Sequence, residues 1–324
     1  MSKVKVAING FGRIGRAFYK QAIKDDDIEI VAINDLADQE TLQYLLKYDS
    51  VYGVFDEADD LQNIKVYHEK DPKLLPWEDL GIDVVVESTG LFRTKDLAHQ
   101  HIEAGAKRVV ISAPSPDAET VLIGVNTDNL SSCSISSNAS CTTNAINPVV
   151  AVLNEAIGVE KAILNTVHSY TSSQRTVDLA NKKDLRRGRA AAINIIPTST
   201  GAAQATAKAH TFLKGKFDGI SLRVPTPAGS IIDLTFISSR DTTVEEVNTA
   251  LKNASEGFWT GVLATTTDPL VLTDIQGRTE ASIADLSMTR VVDGNLVKVL
   301  SWYDNEMGYA HTLLRHVKEA SLSN

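Results

Sequence analysis

A chain of 324 residues, 43% of them apolar, is long enough for two domains of ordinary size, each with its own core. Its net charge of −9 argues against a general nucleic-acid coat, and two cysteines, Cys133 and Cys141, are too few for a disulfide framework and lack the paired spacing of a zinc site. No basic leader precedes an apolar core, and 13 of the 26 residues in the longest charge-free window, 129–154, are Ser, Thr or Asn, so no membrane segment is expected and a reducing, cytoplasmic setting fits.

In chain order, Val4 to Ile8 reads as a strand, Ile14 to Lys24 as a helix, Ile28 to Asn34 as a strand and 38–47 as a helix. Val84 to Glu87 and Arg108 to Ile111 are apolar runs suited to buried strands, separated by a helical pattern over 94–104. This alternation predicts an α/β domain with a doubly wound parallel sheet covered on both faces. Beyond about residue 150 longer β-rich runs appear. Gly219 to Pro225 and Ser230 to Ser238, joined across a Pro-containing turn, suggest paired antiparallel strands. Thr243-Val-Glu-Glu246 has the form of a capping box opening a helix that runs to about Glu256. The second half thus reads as an α+β domain with a mixed or antiparallel sheet, and Asn305 to Ser323 as a docked amphipathic helix.

Gly10-Phe-Gly12-Arg-Ile-Gly15 sits between the first strand and the first helix, the context that gives a GxGxxG match meaning. Glycines there allow a tight turn and a close approach of backbone to a pyrophosphate resting on the helix N-terminus. Asp35 closes the second strand, where a carboxylate would take the ribose hydroxyls and repel a 2′-phosphate, favouring NAD over NADP.

Cys141, in Ser137-Asn-Ala-Ser-Cys-Thr-Thr-Asn144, leads into a helical pattern over Ala145 to Ala156, so the helix dipole is expected to lower its pKa. His168 closes the strand-like run Ala162 to Val167 and could act as its base; from spacing alone, an inert buried cysteine beside an unrelated histidine is the favoured reading. His99 and His101 are two apart on a helix and make a poor metal pair, His311 and His316 read as lying on a solvated helix face, and no metal is expected. Arg223, in a β-rich run, needs an anionic partner if it is buried: a ligand or a structural carboxylate. Residues 175–189 carry Arg175, Lys182, Lys183, Arg186, Arg187 and Arg189 against two aspartates, either a solvated loop or one facing a phosphate or another subunit.

Taken together, Asn9-Gly-Phe-Gly-Arg-Ile-Gly-Arg16, the cysteine string, Ile195-Ile-Pro-Thr-Ser-Thr-Gly-Ala-Ala203, Arg223-Val-Pro-Thr-Pro227 and Ser301-Trp-Tyr-Asp-Asn-Glu306 closely resemble, in order, the phosphorylating glyceraldehyde-3-phosphate dehydrogenase family. The resemblance covers essentially the whole chain. It implies a Rossmann domain over 1–140 completed by a C-terminal helix over 306–324, a catalytic domain over 141–305, and a cytoplasmic homotetramer that uses NAD, glyceraldehyde-3-phosphate and inorganic phosphate. Nucleic acid and membrane are not expected partners. By the same resemblance Cys141 is the nucleophile and His168 the base; Gly10, Gly12, Arg13, Ile14, Gly15, Asp35, Lys70, Ser112 and Asn305 contact the cofactor; Ser140, Thr142, Thr171, Thr200, Gly201, Arg223 and, from the basic loop, Arg187 contact substrate and phosphate.

The chain also departs from the family pattern. Ala145 stands where a second cysteine is common, Met307 where Trp is frequent, Arg278-Thr-Glu-Ala-Ser282 replaces a His-Ser-Ser stretch, and Leu179-Ala180 replaces a Leu-Pro pair, which leaves room for some use of NADP. Erythrose-4-phosphate dehydrogenase is a neighbouring alternative, against which Thr171 and Thr198-Ser-Thr-Gly201 fit the triose enzyme better. An aspartate-semialdehyde-type enzyme is disfavoured by Asp35, and a non-catalytic NAD-binding protein by the presence of both Cys141 and His168.

Overall fold

A computed structural model describes residues 3–182 and 184–322. The chain divides into two compact units: Met1–Ser140 together with Ala310–Asn324, and Cys141–Tyr309.

The first unit runs β1 (Val4–Asn9), α1 (Arg13–Ala22), β2 (Ile28–Asn34), α2 (Gln39–Lys47), a small hairpin β3–β4 (Tyr48–Asp49, Gly53–Val54), β5 (Lys65–Tyr67), α3 (Trp77–Leu80), β6 (Val84–Glu87), α4 (Lys95–Glu103), β7 (Arg108–Ile111), β8 (Glu119–Thr120) and β9 (Ile135–Ser137). Seven strands form one parallel sheet in the order β5-β2-β1-β6-β7-β9-β8. Valine and isoleucine dominate the central strands because both of their faces are covered, and β6 is buried at every position. Ala7, Ala32, Val85, Val109 and Ile135 lie in one core with Trp77 and Ala98, with α4 starting from a Thr94 hydroxyl that accepts the Leu97 amide.

The second unit runs α5 (Cys141–Ile157), β10 (Val159–Ser169), β11 (Ile196–Ser199), α6 (Ala202–Ala209), β12 (Phe217–Val224), β13 (Ser230–Ser238), α7 (Val244–Glu256), β14 (Leu263–Thr266), α8 (Leu272–Ile275), β15 (Ser282–Val292) and β16 (Leu296–Tyr303); α9 (Met307–Leu322) starts here and continues, from Ala310, in the first unit. The mixed sheet has the order β11-β12-β10-β13-β16-β15-β14. β13 alternates buried and half-buried residues along its whole length, as a half-covered antiparallel strand should. Its inner residues Ile232, Leu234 and Phe236 are fully buried, each contributing roughly 1.5–3 kcal/mol, and α5 lies against β10, β13, β15 and β16.

Four local expectations are corrected. β12 and β13 do not pair with each other: β10 lies between them, parallel to β12 and antiparallel to β13. Pro225 and Pro227 lack the amides of a tight hairpin turn, and residues 225–229 instead step across the end of β10. The Thr243 box is half formed: its hydroxyl accepts the Glu246 amide, but the Glu246 carboxylate binds Arg240 and Thr242. The helix after the small polar stretch that carries Cys141 begins four residues early, with Cys141 as its first residue. His316 is fully buried rather than solvated, between the Ser136 hydroxyl at 2.8 Å and Asn138 Oδ1 at 3.1 Å. Ser323 at the end of the expected helix and Lys183 in the basic loop lie outside the described residues.

Candidate active site

In the first unit Gly10 to Gly15 follow β1, Asp35 follows β2, Lys70 lies three residues past β5, and Ser112 follows β7. All therefore gather at the carboxyl edge of the parallel sheet, where open α/β sheets take ligands. Gly10 has φ +94°, and a Cβ there would come within 2.6 Å of the Thr89 backbone nitrogen; a Cβ on Gly15 would lie 2.2 Å from the Gly10 carbonyl oxygen. Gly12 differs, because a Cβ there meets nothing within 4 Å. Two glycines thus serve the turn and one borders open space, where Gly12 caps α1 with no side-chain hydrogen bond. Asp35 accepts from the Phe11 amide at 2.7 Å and the Ala37 amide at 3.0 Å, so it anchors the glycine loop as well as offering a charge. Arg13 is paired with Asp49 at 2.7 Å, Ile14 is half-buried, Ser112 is half-buried and Lys70 is exposed. This cradle, with an open glycine at a helix start and an acid at the end of β2, fits a dinucleotide such as NAD.

The second unit holds the chemistry on one line. Ile196, Arg223, His168, Ser230 and Tyr303 stand directly opposite one another on β11, β12, β10, β13 and β16. Facing them, Cys141 Sγ lies 3.4 Å from His168 Nε2. His168 Nδ1 lies 2.7 Å from the Ser169 carbonyl oxygen; donation along this contact leaves Nε2 unprotonated toward the sulfur. Arg223 Nη1 donates to the same carbonyl at 2.9 Å and sits 2.9 Å from His168 Nδ1. The Tyr303 ring packs edge-on against His168, and its hydroxyl lies 2.8 Å from both the Thr142 and Thr166 hydroxyls.

Burial dominates the electrostatics. It pushes the Cys141 thiol up, against the lowering influence of Arg223 and of the Thr142 hydroxyl and amide, so the dipole-lowered thiol expected from the sequence is overridden by desolvation. Burial and then the Arg223 charge push His168 down to about 3. Neither group charges alone, but a proton moving along the 3.4 Å contact charges both together. Their attraction, about 5 kcal/mol at an effective dielectric near 20, then offsets part of the desolvation.

Among the described residues no carboxylate pairs with Arg223, and its buried Nε has no hydrogen-bond partner. Arg187, whose charge acts on Arg223, donates to the Ser199 carbonyl at 3.4 Å beside the start of α6. There Thr200 accepts the Ala202 amide and Gly201 borders open space. Thr171 is held by Gln174 and Ser173 just past β10. Thr142 is turned inward to Tyr303, so its side chain supports the cysteine rather than facing out. Ser140 belongs to the first unit and follows Ala139, a non-glycine residue at φ +55°. Asn305 Oδ1 accepts from Ser169 Oγ at 2.9 Å and the Gly229 amide at 2.8 Å. Tyr303, Ser230 and Thr166 are additions that single-sequence reading missed; Tyr303 lies inside the Ser301–Glu306 string, and only strand register brings it to His168. A concavity at the other end of β10 and β12, near Lys161 and Phe217, is lined by none of these groups.

A parallel dinucleotide-type sheet and a mixed-sheet unit presenting a cysteine beside a histidine are the two parts of a nicotinamide-dependent oxidoreductase that acts on an aldehyde. Family models described as the NAD binding domain and the C-terminal domain of glyceraldehyde 3-phosphate dehydrogenase match residues 4–95 and 140–305. The chain belongs to the glyceraldehyde 3-phosphate dehydrogenase family. It is 50% identical to the protein of that name from Geobacillus stearothermophilus over 96% of both chains, 52% identical to that of Thermotoga maritima over 96% of this chain and 97% of that one, and 45% identical to that of Colletotrichum lindemuthianum over the full length of both. Members are NAD-dependent oxidoreductases acting on an aldehyde, and no helix among the described residues is long and apolar enough to cross a membrane.

Proposed function

We propose that this chain oxidises glyceraldehyde-3-phosphate with NAD and inorganic phosphate to 1,3-bisphosphoglycerate, the phosphorylating step of glycolysis. The observation that carries the reading is Arg223, a cation whose buried Nε has no hydrogen-bond partner and which pairs with no carboxylate among the described residues, set beside His168 and within charge reach of Cys141, so that it can bind an anionic substrate next to the sulfur.

Cys141 is the nucleophile and His168 the base. The thiol proton passes to His168 Nε2 as sulfur adds to the aldehyde carbon, and the imidazolium returns that proton to the new oxygen, leaving a hemithioacetal. Amides at the start of α5 and the imidazolium stabilise the negative charge as it develops. His168 then removes the hydroxyl proton while the C–H electron pair departs. NAD, when bound, supplies the acceptor for that hydride. The resulting thioester is attacked by inorganic phosphate, sulfur leaves and recovers its proton, and the oxidation energy is retained in the acyl phosphate. Two anion subsites serve the two phosphates, drawn from Arg223, Arg187, Thr171, Ser140, Thr200 and Gly201, with Thr142 supporting the sulfur.

Gly10, Gly12, Arg13, Ile14, Gly15, Asp35, Lys70 and Ser112 hold the cofactor in a domain over 1–140 closed by the helix over 306–324; the catalytic domain over 141–305 contributes Asn305. We place the enzyme in the cytoplasm as a homotetramer, a reading supported by apolar side chains left open in the second unit, among them Ile163, Leu185, Ile193, Ile195 and Ile220. The test is NAD reduction with glyceraldehyde-3-phosphate, with and without phosphate or arsenate, beside erythrose-4-phosphate. Turnover only with the triose and one of the two anions is expected. Full turnover without either anion overturns the phosphorylating assignment, and preference for the tetrose overturns the substrate.

A further inference from the structure

Behind the glycine loop lies a buried polar chain that the reaction does not use. Glu87, at the end of β6, and His101, on α4, are 1% and 0% exposed. One Glu87 oxygen accepts from Asn9 Nδ2 at 2.6 Å and lies 3.2 Å from His101 Nε2; the other accepts from the Thr89 amide at 2.8 Å and from the Thr89 hydroxyl. The direction of every bond follows from groups that cannot reverse. Trp77 Nε1, a donor only, lies 3.1 Å from His101 Nδ1, so Nδ1 accepts and Nε2 carries the proton toward Glu87. On the other arm, Asn9 Oδ1 accepts from Asn34 Nδ2, and Asn34 is locked by the Glu69 peptide, accepting its amide at 2.8 Å and donating to its carbonyl at 2.9 Å. An indole at one end and a backbone peptide at the other therefore aim two donors at one point, and only a group that accepts on both oxygens satisfies position 87.

This chain borders the glycine loop after β1 and the residues that precede Asp35 and Lys70. The Ser88 amide and hydroxyl bind the Asn9 and Gly10 carbonyls, and the Ser88–Thr89 backbone is the surface against which Gly10 fits without a Cβ. Asn34 precedes Asp35, and Glu69 precedes Lys70.

We propose that Glu87 is a positioning residue for the dinucleotide: its carboxylate, oriented by the Trp77–His101 pair and by Asn9–Asn34, sets the glycine loop and the residues after β2 and β5 in binding geometry. The proposal rests on the reading of this edge as the NAD site. Glu87→Gln keeps the volume but turns an NH2 toward Asn9 Nδ2 and His101 Nε2–H, donors against a donor. Trp77→Phe removes the group that fixes the His101 tautomer, so in the Glu87→Gln/Trp77→Phe double variant the proton moves to Nδ1 and Nε2 accepts from the new amide.

Calorimetric titration with NAD should show Kd at least tenfold weaker for Glu87→Gln and only partly restored in the double variant, where His101 accepts from the new amide but Asn9 Nδ2 still faces it. Alkylation of Cys141 by iodoacetamide should keep its rate in both. Histidine ¹⁵N shifts should place the His101 proton on Nε2 in the wild type and on Nδ1 in the double variant. Unchanged NAD affinity in Glu87→Gln, a double variant weaker than the single one, or a wild-type His101 protonated on Nδ1 each overturns the proposal. The wild-type tautomer measurement decides even where Glu87→Gln fails to fold, whereas a wild-type protein that binds no NAD refutes the site reading instead.

Discussion

His316 makes the unit that carries the glycine loop sensitive to acid. Burial pushes its pKa from 6.5 down to about 3, and it is held neutral between Ser136 and Asn138. The folded value lies below the unfolded one, so between the two the unfolded chain binds the extra proton and stability falls as pH drops from 6.5 toward 3. Nothing is lost at pH 7.5, whereas at pH 5 the linkage integral gives a loss of about 2 kcal/mol, a large share of a domain's stability. His316→Gln offers a donor and an acceptor that do not titrate in this range. It should cost stability at pH 7.5 through imperfect packing, but its further loss on going to pH 5 should be about 2 kcal/mol smaller than the wild type's. Hydrogen exchange on peptides from β9 and α9 measures the opening free energy of this unit without interference from the other. Equal acid losses in the two proteins would refute the account of a buried neutral imidazole.

Three other outcomes follow from the geometry. Cys141→Ser should abolish NAD reduction while leaving NAD binding intact, and Cys133→Ser, half-buried with its sulfur near the Asn129 carbonyl, should be nearly silent in both assays. Gly12→Ala should leave the thermal midpoint within the change expected of a surface site yet weaken NAD binding at least tenfold by calorimetry, because its Cβ meets only the space the ligand would use; Gly15→Ala, 2.2 Å from a backbone oxygen, should destabilise by roughly 1–3 kcal/mol. Asp35→Asn removes the charge and keeps an acceptor for the Phe11 amide but turns its NH2 toward the Ala37 amide, so its NADP-to-NAD ratio of kcat/KM should rise at some cost in stability; an unchanged ratio would refute charge repulsion at the 2′-position.

The parts of this structure that local chemistry decides could be read from the residues. Val84 to Glu87 and Arg108 to Ile111 are strands at the expected bounds because short runs of buried β-branched residues have few other places to go. Gly10 to Gly15 fall at a strand-to-helix turn as their placement between an apolar run and a helical pattern implies, while the backbone that Gly10 must clear, at Ser88 and Thr89, lies far along the chain. What escaped depends on partners far along the chain. No local signal says that β10 separates β12 from β13, that Tyr303 stands across the sheet from His168, or that His316 meets Ser136. The spacing of His99 and His101 says nothing of Trp77 and Glu87, 24 and 14 residues away, which His101 meets in the fold. The helix terminus alone predicts a lowered Cys141 thiol, whereas the surrounding burial raises it.

The line of residues crossing the mixed sheet makes reactivity a matter of alignment between strands. Because successive side chains on a strand point to opposite faces, slipping β10 by one residue against β12 and β13 would carry His168 away from Cys141 altogether and bring Val167 or Ser169 into its place. Length changes inside β10, β12, β13 or β16 are therefore forbidden to a working enzyme, while the long stretch between β10 and β11, which begins after His168 and ends before Ile196, can change length without disturbing that line. Differences in specificity among proteins built this way should accumulate in that connection and not in the strands that flank it.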